Sequence, residues 1–306
     1  MTSKPDLKDI NGLELDRRVW AYDEDRRIAE IALKGRLEGE WEWCIPKRCF
    51  MEWRCELKES AQDLPIIPMV TEVFIGEEVE VIRDLQNTWS MTRTKADSYL
   101  GYTIDGRYSY QIEAPSSQVE CLRGYTYISS SIKQKGLGLI TFGDHLDAYQ
   151  YAEEWYMCLF GIGTFFIHKS ALEPSTLPPL EWVRQFLGTP YLWGGRTAWG
   201  IDCSGLAQMY FRYQNIYIPR DADQQEAAFA KVAEPRAGDL AFFDGHVGIL
   251  LEQNERGNWR MLHANSRHMS VTVDTLGEGE YGEYLSSILH GFGRWEGEIG
   301  VYWKPK

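Results

Sequence analysis

The chain has 306 residues, 44% of them hydrophobic and 13% aromatic, which is enough apolar material for more than one packed domain. Its formal net charge of −13 argues against a nucleic-acid partner, because such proteins need clustered Lys and Arg to neutralise phosphates. No apolar stretch approaches the roughly 18 residues that span a bilayer. The N-terminal sequence also lacks the apolar core of a secretory signal, so we expect a cytoplasmic protein unless a signal has been removed.

Two stretches of the N-terminal half resemble each other, and they begin with VFIGEE and ITFGDH. Each runs through alternating residues to a tryptophan, Trp89 or Trp155, and then into a glycine turn. Alternation with frequent turns predicts short antiparallel strands, and hence small β-barrels or sandwiches. The strand ends YLGYT and TFFIHKSAL resemble those of bacterial SH3-like domains, which we place at residues 61–115 and 116–172.

Residues 1–60 are open to two interpretations. The segment EWEWCIPKRCF is similar to the closing strand of the same SH3-like module. It therefore fits either a third, degenerate SH3-like piece or an extension of the first barrel.

After the Pro-rich linker LEPSTLPPL, the sequence pattern changes from that of strands to that of helices. The apolar spacing predicts a first helix, bounded by prolines and a glycine, whose buried face carries Leu180, Val183, Phe186 and Leu187. A second helix is predicted after Cys203, and its buried stripe would be Leu206, Met209, Tyr210 and Tyr213. Four short apolar segments then read as strands. Helices followed by antiparallel strands indicate an α+β domain.

Cys203 differs from the other five cysteines because it begins the second predicted helix. The backbone N–H groups and dipole of a helix N-terminus lower the pKa of a thiol, which favours a nucleophile. A base is available from His246 or His263, which lie on strands downstream. Two residues on paired strands can lie side by side, so that one imidazole takes the thiol proton and the other orients the first imidazole. The cysteine spacings fit no metal site, and we expect no cofactor.

A family resemblance extends this interpretation. TPYLWGG, GIDCSGLAQ, IPRDADQQ, PRAGDLAFF, HVGILLE and MLHANS occur in the order and approximate spacing of the NlpC-type, papain-like cysteine peptidases of bacterial cell-wall peptides. The resemblance implies a papain-like domain over residues 176–306, with a helix-borne cysteine packed on an antiparallel sheet. It also implies that Cys203 is the nucleophile, His246 the general base and acid, and His263 the third, orienting residue.

Four further site residues follow from the same resemblance. Tyr191 would join backbone N–H groups in binding the oxyanion, unless it only packs beside WGG. Asp202 and Ser204 would contact polar groups of the substrate, although either residue type also favours a helix cap. Asp221 would bind a free amino group, unless it is a turn acid paired with the preceding Arg220. A tyrosine of the first SH3-like domain would assist, and the candidates are Tyr99, Tyr102, Tyr108 and Tyr110.

The sequence departs from many relatives just before His246, where only Asp244 and Gly245 separate the apolar AFF from the histidine. This pair predicts a tight hairpin that keeps the catalytic geometry but puts in doubt any subsite built by a longer loop. The remaining histidines match no motif position, and we interpret them as structural or surface residues: His145, His168, His268 and His290.

Taken with the two repeats, the resemblance is to γ-D-glutamyl-L-diamino-acid endopeptidases of murein. It implies hydrolysis of the bond between γ-D-Glu and meso-diaminopimelate or L-lysine, in peptides with a free N-terminal L-alanine, in recycling of wall peptides.

Two alternatives stay open. The repeats could make this a wall-binding protein with a weak or silent catalytic domain, or the same Cys–His site could serve an amidase or acyltransferase. The sequence does not indicate an oligomeric state.

Overall fold

The structure is a computed structural model that describes residues 5–62, 66–85, 88–104, 106–111, 113–133, 136–160 and 163–304. The chain divides into two compact units, Met1–Ser116 with Lys304–Lys306, and Ser117–Trp303. Parts of both repeats, residues 86–87 and 161–162, lie outside the described residues. Within the described ranges, the helices are too short or too polar to cross a membrane.

The first unit is built around a seven-stranded antiparallel sheet. The strands of this unit are β1 (Leu7–Lys8), β2 (Glu14–Leu15), β3 (Tyr22–Asp23), β4 (Ile28–Glu30), β5 (Glu42–Cys44), β6 (Lys47–Met51), β7 (Cys55–Lys58), β8 (Met69–Val73), β9 (Glu78–Asp84), β10 (Trp89–Thr94), β11 (Leu100–Ile104) and β12 (Tyr108–Ser109). The large sheet has the order β12-β6-β9-β10-β11-β7-β8, while β1–β2 and β3–β4–β5 form two smaller sheets.

Strands β6 and β7 lie within the large sheet, where β6 pairs with β9 and β7 pairs with β11. Residues 47–58 therefore share one sheet with residues 69–109. Both interpretations of residues 1–60 stay predictions. The SH3-like assignment of both repeats stays a prediction.

The second unit opens with a six-stranded antiparallel sheet. Its strands are β13 (Ser117–Gln118), β14 (Gly124–Tyr127), β15 (Gly136–Ile140), β16 (His145–Ala152), β17 (Trp155–Phe160) and β18 (Gly163–His168). They are ordered β13-β16-β17-β18-β14-β15, and a single 3₁₀ turn, Lys169–Ala171, follows β18.

The rest of the second unit is the predicted α+β part. Its elements are α1 (Pro179–Val183), β19 (Arg196–Thr197), β20 (Gly200–Ile201), α2 (Cys203–Arg212), α3 (Ala222–Ala228), β21 (Ala230–Val232), β22 (Leu240–Phe243), β23 (His246–Gln253), β24 (Trp259–Asn265), β25 (Ser270–Thr275), α4 (Gly279–Ser287) and β26 (Leu289–Arg294). A six-stranded antiparallel sheet, β21-β26-β22-β23-β24-β25, carries α2 on one face. The four apolar segments predicted as strands are β22 to β25.

The first predicted helix is α1, which tightens into a 3₁₀ turn over Arg184–Phe186. Val183 and Phe186 are buried as expected, but Leu187 is 47% exposed and the prediction that it faces the core was wrong. Because the 3₁₀ turn rotates successive side chains by more than an α-helix does, Leu187 leaves the buried face. Trp182, which the apolar pattern did not select, is buried instead and stacks on Tyr213 at 4.4 Å.

The second helix, α2, is buried along its whole length of ten residues rather than on one stripe. Its C-terminal end is contacted by the turn between β15 and β16. The Arg212 guanidinium donates to the carbonyl of Gly143 at 3.1 Å, and the ring of Phe142 lies 4.6 Å from that of Trp182. The helix that begins with Cys203 therefore packs on the sheet of β23 and β24 and is contacted near its end by this turn.

We expect Trp182→Ala to destabilise the second unit by about 3–5 kcal/mol, because it removes a large side chain from a packed site. Leu187→Ala is the matched control, because Leu187 is 47% exposed, and it should cost less than about 0.5 kcal/mol. Urea unfolding followed by near-UV circular dichroism measures both. Equal losses in the two variants would contradict the observed packing of α1.

Candidate active site

Cys203 is the first residue of α2, and the residue before it caps the helix. The Asp202 carboxylate accepts from the backbone N–H of Gly205 at 2.7 Å and from that of Gly194 at 2.8 Å. One side chain therefore joins the start of the helix to the preceding loop. Cys203 itself is 8% exposed, and its sulfur accepts from the backbone N–H groups of Ser204 and Val247.

The glycines before and after the cysteine allow this loop to lie against the helix. A Cβ on Gly205 would come within 2.4 Å of the Gly195 carbonyl oxygen, and one on Gly195 within 2.4 Å of the Gly200 carbonyl oxygen. No side chain fits at such distances, so both positions need glycine. The close approach brings the loop of residues 191–201 to the side of the thiol.

Two adjacent strands supply the histidines. His246 is the first residue of β23, directly after the two-residue turn predicted from Asp244 and Gly245, and Gly245 has the positive φ of 62° that such a turn requires. His263 lies on the neighbouring strand β24 and is fully buried. Its Nδ1 lies 2.8 Å from Nε2 of His246, so one ring donates a hydrogen bond to the other. The structure thus brings both predicted histidines together beside the strand residue that contacts the Cys203 sulfur.

A fourth polar residue, which the sequence did not lead us to predict, continues this chain. Nε2 of His263 lies 3.0 Å from Oδ2 of Asp274, on strand β25. The Thr272 hydroxyl donates to the same oxygen at 2.7 Å. The ring of Tyr281 stacks over His263 with centroids 6.0 Å apart. The only sequence signal was that Thr272 and Asp274 share one face of an alternating strand, and this signal does not reveal which strand pairs with it.

The titration of the thiol differs from the expectation. Burial raises the pKa of Cys203 to about 12, and the negative charge of Asp202 raises it further, against smaller opposing effects of backbone N–H groups. The prediction that the helix N-terminus leaves Cys203 with a lowered pKa was therefore wrong, because desolvation outweighs the helix terminus. Burial also lowers the pKa of His246 to about 3, with His263 adding a smaller effect. The resting pair is a neutral thiol and a neutral imidazole.

Tyr191 lies near the thiol, as predicted. Its backbone N–H donates to the Met269 carbonyl at 2.9 Å, and the residue forms an isolated bridge with Ile201 next to the start of α2. Burial raises the pKa of Tyr191, and the negative charges that Cys203 and Asp202 can carry raise it further. Its hydroxyl is therefore a protonated hydrogen-bond donor within electrostatic range of the sulfur.

Asp202 and Ser204 make internal contacts in this structure. The Arg220 guanidinium donates to both oxygens of Asp202, at 3.1 and 2.7 Å, and to the Ser204 hydroxyl at 2.8 Å. Asp202 and Arg220 are both buried, so this is an ion pair within the core. The helix-cap alternative accounts for Asp202, whereas substrate contact by either residue stays a prediction.

Asp221 is the N-cap residue of α3 and forms a capping box with Gln224. It is partly exposed, in contrast to the neighbouring Arg220, whose guanidinium is directed to Asp202. The pairing of Asp221 with Arg220 stays an alternative prediction. Asp221 remains accessible to a ligand at the N-terminus of its helix.

The other predicted residues are spread over both units. His145 contacts the Gly143 carbonyl, His168 lies near Glu154, and His290 lies near Glu226. His268 is closer to the site than expected, since its Nε2 lies 3.9 Å from Asp274. The four candidate tyrosines belong to the first unit, and they range from buried to 58% exposed: Tyr99, Tyr102, Tyr108 and Tyr110.

A family model described as the NlpC/P60 family matches residues 188–290, the stretch that contains the thiol and both histidines. The chain carries an NlpC/P60 domain. Over 117 residues it is 38% identical to the gamma-D-glutamyl-L-lysine dipeptidyl-peptidase of Bacillus subtilis, and this match covers 35% of this chain and 38% of that protein. Over 243 residues it is 27% identical to dipeptidyl-peptidase 6 of Lysinibacillus sphaericus, and this match covers 69% of this chain and 85% of that protein.

Among solved structures, an NlpC/P60 family protein from Bacillus cereus matches with a TM-score of 0.67, over 81% of this chain and 99% of that chain. At 21% identity the likeness shows the fold alone. The predicted family and the enzyme class, a cysteine peptidase, are confirmed for the NlpC/P60 domain. The chain spans less than half of the Bacillus subtilis relative, so the substrate is a matter for proposal.

We expect Asp202→Ala to destabilise the NlpC/P60 domain by about 3–5 kcal/mol, because it leaves the Arg220 guanidinium buried without its carboxylate. Asp221→Ala is the matched control, since it removes a helix cap at a partly exposed position and should cost about 1 kcal/mol. Urea unfolding measures both variants. A loss no larger for Asp202→Ala than for Asp221→Ala would show that the buried ion pair does not stabilise the start of α2.

The pH dependence follows from the lowered pKa of His246. Because burial keeps this imidazole neutral, it stays able to accept a proton below the ordinary histidine pKa of about 6.5. Peptidase activity should therefore persist at about pH 5. The free energy of unfolding should decrease as the pH drops below about 6.5, because the histidine of the unfolded chain binds a proton that the folded protein excludes. Measuring kcat/KM and circular dichroism together separates loss of activity from loss of folded protein. If kcat/KM of the folded protein falls with a midpoint near pH 6.5, His246 does not have a lowered pKa.

Proposed function

We propose that this protein is a cysteine endopeptidase that hydrolyses the bond between γ-D-glutamate and a diamino acid in murein peptides with a free N-terminal L-alanine. The observation that supports this chemistry is the set of Cys203, His246 and His263, with the 2.8 Å contact between its two imidazoles. The choice of bond is supported by the printed names of two relatives. Both the Bacillus subtilis protein and one of Bacillus cereus, 25% identical over 297 residues, are called gamma-D-glutamyl-L-lysine dipeptidyl-peptidase.

In the first step the Cys203 thiol gives its proton to His246 and the sulfur attacks the carbonyl carbon of γ-D-glutamate. Both groups are neutral at rest, so their two charges form together. Thiolate and imidazolium then attract each other strongly in a site from which water is excluded. A base that is neutral at physiological pH is available for this step in every molecule.

The negative oxygen of the tetrahedral intermediate needs hydrogen-bond donors. The backbone N–H of Gly205 is already bonded to Asp202, so the backbone donor in this proposal is the N–H of Cys203, which begins α2 and has no partner within the helix. The Tyr191 hydroxyl, protonated and near the sulfur, is the side-chain donor in this proposal. Donors placed in advance in this way are typically worth about 3 kcal/mol each in the barrier.

Collapse of the intermediate breaks the carbon–nitrogen bond, and His246 returns its proton to the leaving amine of the diamino acid. The product left behind is a thioester between Cys203 and the glutamyl carbonyl. Water then attacks this thioester with His246 again as base, which releases the free carboxylate and restores the thiol.

Asp221 is the proposed anchor for the amino group of the N-terminal alanine. A carboxylate binds an ammonium group well, and Asp221 is partly exposed at the start of a helix. A requirement for a free alanine would restrict the enzyme to peptides already released from the glycan. We therefore propose a role in recycling such peptides in the cytoplasm.

The test is mass spectrometry of L-Ala-γ-D-Glu-meso-diaminopimelate, and of the L-lysine analogue, after incubation with the protein. We expect release of L-Ala-γ-D-Glu by the unaltered protein and none by Cys203→Ala. Asp221→Asn should raise KM by about tenfold, since one charge-assisted hydrogen bond is worth about 1.5–3 kcal/mol.

Two further substrates make the result specific. A peptide whose alanine nitrogen is acylated should be cut far more slowly than the free peptide, and equal rates would overturn the proposed role of the free amine. Release of alanine alone would indicate an amidase instead. If the unaltered protein cuts none of these peptides but is retained on purified sacculi, the wall-binding alternative is correct.

A further inference from the structure

Asp274 holds the outer end of the histidine chain. Its Oδ2 lies 3.0 Å from Nε2 of His263 and accepts from the Thr272 hydroxyl at 2.7 Å. The hydrogen bond with His263 keeps the pKa of Asp274 below its ordinary value, so the carboxyl group is ionised at neutral pH. An ionised carboxylate only accepts hydrogen bonds, and Nε2 of His263 must therefore carry a proton.

This proton determines the state of both rings. A neutral imidazole carries one N–H, so with the proton on Nε2 the Nδ1 of His263 is an acceptor. That atom lies 2.8 Å from Nε2 of His246, which must then be the donor. The proton of His246 is thereby fixed on Nε2, and its Nδ1 is left without a proton. Nδ1 is the nitrogen that can receive the proton of the Cys203 thiol.

The opposite arrangement would disable the base. If Nε2 of His263 faced a donor, the proton of that ring would move to Nδ1 and be donated to His246. His246 would then carry its proton on Nδ1, and this nitrogen could accept none from the thiol. A donor does lie nearby, because the amide nitrogen of Asn265, which also donates to the Thr272 hydroxyl at 2.8 Å, is 3.5 Å from Nε2, a distance at which a hydrogen bond is weak. The nearer partner of His263 is the carboxylate.

We propose that Asp274 is a positioning residue that sets the tautomer of two histidines in series and so keeps Nδ1 of His246 free to accept the thiol proton. It acts through His263 and does not touch the reacting atoms. This inference rests on the proposed function insofar as Cys203 and His246 carry out the chemistry, but it does not depend on which amide bond is cut.

The direct test is made on the unaltered protein by nitrogen-15 NMR of histidine-labelled samples at neutral pH. The ring signals are assigned by comparison with His246→Gln and His263→Gln. We expect both rings to carry their proton on Nε2. A proton on Nδ1 of His263 would overturn the inference, and this result needs no variant of Asp274 to fold.

The variant test is Asp274→Asn, which keeps the shape of the side chain and can present an N–H donor to His263. We expect kcat to fall by about 100-fold with KM changed less than about threefold, the pattern of a group that orients the base without binding substrate. The matched control is Glu226→Gln, which alters a carboxylate 3.1 Å from His290 outside the site and should leave kcat unchanged. A kcat within twofold of the unaltered protein in folded Asp274→Asn would overturn the inference.

A second readout separates this inference from the proposed function. The rate at which iodoacetamide alkylates Cys203, followed by peptide mass spectrometry, reports removal of the thiol proton without any substrate. It should fall in Asp274→Asn to the same extent as kcat. If the murein peptides prove not to be substrates, a slower alkylation still supports the role of Asp274. If the peptides are cut and alkylation is unchanged, only the role of Asp274 fails.

Discussion

The arrangement of the site depends on one buried carboxylate. Asp202 caps α2, holds the N–H of Gly194 in the preceding loop and pairs with Arg220, which in turn donates to Ser204. These contacts fix where the helix begins, and therefore where the Cys203 sulfur lies. A buried ion pair gives little net stability compared with apolar packing, but removing one partner is costly, so it defines a single geometry for the nucleophile.

The second constraint is desolvation. The same burial that positions the thiol and the imidazole makes their charged forms unfavourable, and the site rests as a neutral pair. The reactive ion pair then exists only when both charges appear together on neighbouring atoms. This arrangement makes the direction of the imidazole and the position of its proton decisive, because no excess of preformed thiolate compensates for an imidazole that is wrongly protonated.

Much of this could be predicted from the sequence, and the exceptions have a common cause. Cys203, His246 and His263 were recognisable because each lies in a distinctive local pattern, a glycine-rich helix start or an apolar strand. Asp274 was not, since its contact with His263 depends on the register between β24 and β25, which local patterns do not contain. The same limit applies to Asp202, whose pairing with Arg220 joins distant parts of the chain, and to β6 and β7, whose place in the first sheet is a matter of topology.

The contacts at the C-terminal end of α2 have a consequence for how the protein can be divided. The family match begins at residue 188, whereas Trp182 and Phe142, which pack at that end of the helix, precede it. A fragment cut at the limits of the match would lose the Phe142 and Trp182 rings and would leave the Arg212 guanidinium without the Gly143 carbonyl. The segment that sequence similarity outlines therefore lacks residues that pack against the helix of the nucleophile.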